Sequence, residues 1–104
     1  MTEQAQAALF ARAVELWGRD AQMLMVVEEC GELSQAVLRF LRDRPITGAE
    51  IADEIADVTI MCGQLSAMLG LGEMVQERIE YKLARLQVRV EKASENLTAA
   101  DRSA

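Results

Sequence analysis

An all-α fold, a four-helix bundle-like chain that assembles into a helical homo-oligomer, is what three features of the sequence predict. Apolar residues recur at three- and four-residue steps along most of the chain, and alternation at period two never lasts more than a few residues. A single proline, Pro45, interrupts the 104 residues. Turn chemistry sits where helices would have to stop, at Gly18, at Arg42-Asp43-Arg44-Pro45 and at Gly70-Leu71-Gly72. This length suits one domain, 1–95, followed by a small polar tail, 96–104, that is expected to fray.

The first helix is expected over about 3–17, with adjoining apolar rows Leu9, Ala13, Leu16 and Phe10, Val14, Trp17. Gly18 stops it, and Asp20 is the expected N-cap of a second helix over about 20–42. There the row Met23, Val26, Cys30, Leu33, Val37, Phe40 is wholly apolar, and Leu24, Val27, Leu38 and Leu41 make other sides apolar too. Such a helix should be covered by more than one neighbour. Thr47-Gly48-Ala49-Glu50 matches a capping box that opens the third helix. Its expected core row is Ile51, Ile55, Val58, Cys62, Leu65, Leu69, and Glu50, Glu54, Asp57 and Met61 border that row one residue earlier. The fourth helix follows Gly72 and carries Val75, Ile79, Leu83, Leu86, Val90 and Ala93 down to about 95. The apolar surplus on helices two and three predicts a homo-oligomer, a tetramer ahead of a dimer.

Composition narrows the function. A formal charge of −6 argues against a nucleic-acid groove, and an anionic substrate would reach so acidic a chain only through a metal. No apolar run is long enough for a membrane span and no secretory leader is visible, so a cytoplasmic protein is expected. Cys30 and Cys62 then read as buried, reduced thiols. With no histidine and only these thiols, zinc is not expected.

The anomaly is acidic. Glu29 and Glu32 stand at i,i+3 on the second helix, on a face that continues through Met25, Ala36 and Phe40. Glu54 and Asp57 repeat that spacing on the third helix. Carboxylates set in apolar rows are costly unless paired or bound to a metal. No basic residue lies between Ala21 and Leu38, which weakens the reading of a solvated, salt-bridged face. If the two helices pack antiparallel, the four acids converge, and an oxygen-only set suits a hard cation such as Mg²⁺ or Mn²⁺.

Here the sequence resembles a known family. Trp17-Gly18, Gln22, Glu28-Glu29-Cys30-Gly31-Glu32-Leu33 and Asp53-Glu54-Ile55-Ala56-Asp57-Val58 look like the MazG-type all-α nucleoside triphosphate pyrophosphohydrolases, over about Leu16 to Leu86. The resemblance implies Mg²⁺-dependent cleavage of an NTP or dNTP to the monophosphate and pyrophosphate, in a homotetramer or a dimer. It assigns Glu29, Glu32, Glu54 and Asp57 as metal ligands. Glu28 becomes the candidate base that orients water, and Glu28 and Asp53 are candidates for supporting the ligands from behind. It also implies phosphate contacts by Lys82 and Arg85, with Arg89 one turn on, although these equally fit a solvated basic face. Trp17 can stack a base or close the core, and Gln22 can hydrogen-bond a base or sugar. The Asn- and Arg-rich C-terminal extension of some members is missing, which leaves the substrate-closing part of the site to a neighbouring subunit or unassigned. A dUTPase-like or modified-nucleotide hydrolase of the same superfamily is an alternative. So is a non-enzymatic helical oligomerisation or regulatory module with a structural cation.

Overall fold

The computed structural model describes residues 1–103. These form four α-helices and, among the described residues, no strand: α1 Glu3–Trp17, α2 Arg19–Leu41, α3 Gly48–Met68 and α4 Gly72–Ser103. The chain divides into two units, Met1–Leu71 and the helix from Gly72 onward.

Local chemistry explains the boundaries. Thr2 caps α1, its hydroxyl accepting from the Ala5 amide at 3.0 Å. Gly18 then serves two helices at once. Its N–H donates to the Val14 carbonyl at 2.8 Å, closing α1, and its carbonyl accepts from the Gln22 amide at 3.2 Å, opening α2. Its φ of 92° with ψ of 154° lies in a region open essentially to glycine alone. Asp20 is therefore not the N-cap of α2. A one-residue connection leaves no room for a side-chain cap there, and Asp20 sits inside the first turn, where its charge still favours the helix N-terminus.

Between α2 and α3 the chain turns at Asp43, with φ of 53°, and the Arg39 guanidinium donates to the Pro45 carbonyl. The capping box then forms as the sequence predicts. The Thr47 hydroxyl accepts from the Glu50 amide at 3.1 Å, and the Glu50 carboxylate accepts from the Thr47 amide at 2.8 Å. α4 runs past its expected end near residue 95 to Ser103. No glycine or proline stands in 73–103 to stop it.

Within the first unit α2 and α3 are antiparallel, because Gln22 bonds Gln64 while Glu29 and Glu32 meet Glu54 and Asp57. The residues turned inward are Gln22, Met25, Glu29, Leu33 and Ala36 on α2 and Ile51, Glu54, Val58, Met61 and Gln64 on α3. This corrects the core rows expected from the apolar pattern. Met23, Cys30, Val37 and Phe40 on α2 are exposed, as are Ile55, Cys62 and Leu69 on α3. Cys30 and Cys62 are accordingly free surface thiols, not buried ones. Each helix is rotated so that the row containing its acids faces the other helix. One residue step is about 100°, enough to carry Met23, Cys30, Val37 and Phe40 out of the contact, while Val26, Leu33, Ile51, Val58 and Leu65 of the expected rows stay half-buried in it or at its edge.

α1 closes this unit with Phe10, Ala13 and Val14. The Phe10 ring lies over Gly63 of α3, where a β-carbon would meet ring atoms at 3.7 and 3.8 Å. That is ordinary contact, so Gly63→Ala should raise stability by about 0.5–1 kcal/mol through helix propensity. Urea unfolding of the two proteins checks it, and a lower midpoint for the alanine variant would contradict this packing.

Candidate metal centre

The antiparallel register of α2 and α3 stacks like on like. Gln22 opposes Gln64, Met25 opposes Met61, and the acid pair Glu29 and Glu32 opposes Asp57 and Glu54. Each of the four acids offers a carboxylate oxygen, and these oxygens all lie within 4.8 Å of one another. Glu29 and Glu54 are half-buried, Glu32 and Asp57 exposed, so the cluster opens to solvent on one side.

Electrostatics make the arrangement expensive when nothing positive occupies it. The Glu29 Oε2 and Glu54 Oε2 atoms are buried and have no hydrogen-bond partner among the described residues. Burial, then the negative charges of Glu32 and Asp57, push the Glu29 carboxyl above the usual carboxylate range. Glu54 is raised likewise, by burial first and then by Glu32, Asp57 and Asp53. A divalent cation would complete the unpartnered oxygens and reverse the sign of every one of these interactions. The four residues fit such an ion: all donors are carboxylate oxygens converging from two helices, and the buried Oε2 atoms of Glu29 and Glu54 have no partner among the described residues.

The other predicted residues are placed as follows. Glu28 is exposed on α2, next to Glu29 but outside the group of four. Asp53 is exposed on α3, and its charge reaches Glu54. Trp17 and Gln22 come together in a cavity of about 570 Å³, lined also by Ala13, Ala21, Met25, Met61 and Gln64. Trp17 is exposed there rather than part of a core. Lys82, Arg85 and Arg89 are exposed on α4.

Gln64 is the residue that sequence reading missed. Its amide nitrogen donates to the Gln22 side-chain oxygen at 2.7 Å, and both glutamines are buried. A signal was present: Gln22 precedes Glu29 by two turns, and Gln64 follows Asp57 by two turns. In an antiparallel pair those offsets bring the two amides to the same level. No helix in the described residues is long and apolar enough to cross a membrane.

No protein-family model, curated protein or solved structure matches the chain. Fold and site alone therefore define its class: an all-helical protein with a four-carboxylate cluster between two antiparallel helices.

Proposed function

We propose that this chain is a Mg²⁺-dependent nucleoside triphosphate pyrophosphohydrolase, cleaving an NTP or dNTP to the monophosphate and pyrophosphate. The observation that carries the reading is the four-carboxylate cluster with two buried, unpartnered oxygens. Phosphoanhydride hydrolysis asks mainly for neutralised phosphate oxygens and a water held in line. When bound, Mg²⁺, or Mn²⁺ in its place, supplies that neutralisation and makes water more acidic.

The chain's own residues do the rest. Glu29, Glu32, Glu54 and Asp57 hold the ion, and the α2–α3 contact keeps their carboxylates converged. Glu28 orients the attacking water and takes its proton. The cavity beside Met25 and Met61 receives the base, with Trp17 for stacking and the Gln22 amide for hydrogen bonding. Lys82 and Arg85, exposed on α4, are the proposed phosphate-binding cations. The protein works in the cytoplasm as a homo-oligomeric helical bundle, a tetramer ahead of a dimer, without nucleic acid or membrane as partner. The apolar side chains left exposed on α2 and α3 support the assembly.

The test is to incubate the protein with Mg²⁺ and a panel of NTPs and dNTPs, dUTP included, and to measure pyrophosphate. Release of orthophosphate would indicate a different bond. Metal binding without any turnover would leave a structural cation in a regulatory module.

Metal binding has its own readout. Millimolar Mg²⁺ should raise the melting temperature, because it binds the folded chain and relieves repulsion among the acids. The raised Glu29 and Glu54 carboxyls give this a pH dependence. Between the ordinary carboxylate range and their raised values, the folded metal-free chain holds more protons than the unfolded one. Its stability therefore falls as pH rises through that window. Mg²⁺ competes with the same protons, so the metal-induced shift should shrink as pH is lowered through it. A shift independent of pH there, or no shift at millimolar metal, would remove the site.

A further inference from the structure

On the side of α2 away from Glu29 and Ala36, six residues repeat at heptad steps: Leu24, Val27, Gly31, Ser34, Leu38 and Leu41. The large ones are solvent-facing, Leu24 63%, Val27 67%, Leu38 45% and Leu41 69% exposed. Gly31 at the middle of this seam has no local explanation. α2 and α3 each carry a glycine in mid-helix, but a β-carbon at Gly63 would touch Phe10, whereas one at Gly31 would meet nothing within 4 Å. An interior glycine costs a helix about 1 kcal/mol against alanine. Gly31 carries that cost for no contact among the described residues of its own unit, Met1–Leu71.

The seam is its own mirror image. Read from either end it runs large, large, small, small, large, large. Turned end for end on a second copy, Leu24 meets Leu41, Val27 meets Leu38, and Gly31 meets Ser34. Small residues at the centre let two helices approach closely where they cross. The seam is five steps of about one turn each, roughly 26 Å at 1.5 Å per residue, and pairing it buries on the order of 1,000 Å², the floor for a specific interface.

We infer that this face of α2 is the contact of a two-fold homodimer, in which α2 of one copy crosses α2 of another antiparallel with Gly31 packed on Ser34 at the axis. The contact is isologous, so it closes on itself. It is independent of the metal and of the proposed activity.

The test uses the full chain with Cys30→Ser and Cys62→Ser, carrying either Gly31→Cys or Ser34→Cys. Mixed and mildly oxidised, the two variants should form a disulfide-linked heterodimer, with much less product from either alone. Light scattering of the unmodified protein should show a dimer or an even multiple of it. Gly31→Leu, which meets no obstacle within one chain, should lower the molar mass or weaken association at least tenfold. A monomer, crosslinking of either variant alone as efficient as in the mixture, or an assembly that accepts Gly31→Leu and never crosslinks would each overturn the proposal. The last outcome would mean that the seam is covered by something other than a second α2.

Discussion

Glu54→Gln and Asp57→Asn are each expected to lower pyrophosphate release by more than about 100-fold, since even groups that merely support metal ligands are worth about 10- to 100-fold. The same holds for Glu29→Gln and Glu32→Gln. Each change keeps the side chain's size and removes one charge from four that lie within 4.8 Å of one another. The expected signature is a split between activity and stability. Without metal, melting temperature should hold or rise, because repulsion is relieved and, at Glu29 and Glu54, a buried charge with an unpartnered oxygen becomes neutral. With metal, the Mg²⁺-induced shift should be lost.

Other roles for the acids predict different patterns. A solvated acidic face predicts little change in either quantity, because exposed ion pairs are worth roughly 0–1 kcal/mol. A structural salt bridge predicts lost stability, with activity failing only as the fold does. Glu28→Gln separates the proposed base from the ligands. Glu28 lies outside the group of four, so the variant should still bind Mg²⁺ and nucleotide while turnover falls. Near-normal turnover in Glu54→Gln and Asp57→Asn would end the metal-centred mechanism.

Helices were legible in this sequence because their boundaries are written in local chemistry. Thr47 and Glu50 form the predicted capping box, and Gly18 stops α1 where the pattern says. The four acids were legible for a related reason: a charge inside an apolar row stands out by its cost. What the pattern misplaced was the rotation of each helix. Hydrophobic periodicity identifies apolar faces but not which of them meets the neighbouring helix. On α2 the face with Glu29 won that contact, so Cys30 and Phe40 lie outside. The cysteine placement failed with it. The Gln22–Gln64 pair was missed for a deeper reason: its matching two-turn offsets from the acids gain meaning only once the antiparallel α2–α3 register is fixed, a tertiary quantity that neither helix encodes alone.

That pair gives the second large effect. Gln22 and Gln64 are 6% and 4% exposed, the only buried polar residues among those described, and their side chains bond each other at 2.7 Å. Replacing one partner leaves the other amide in a largely dry place without that bond. Gln64→Leu and Gln22→Leu should therefore each cost about 1–3 kcal/mol, the penalty for a stranded buried polar group. The double variant should recover most of this loss, because two leucines beside Met25 and Met61 strand nothing and add apolar contact. The cycle is run by urea unfolding of metal-free protein at one fixed concentration, so that association does not enter the comparison. Turnover assays on the same variants divide structure from recognition. If the Gln22 amide hydrogen-bonds the base, the double variant regains stability but keeps a raised KM. If the amides only join α2 to α3, KM returns with stability. Additive losses in the cycle would show that the two amides are solvated by the cavity and do not act as a pair.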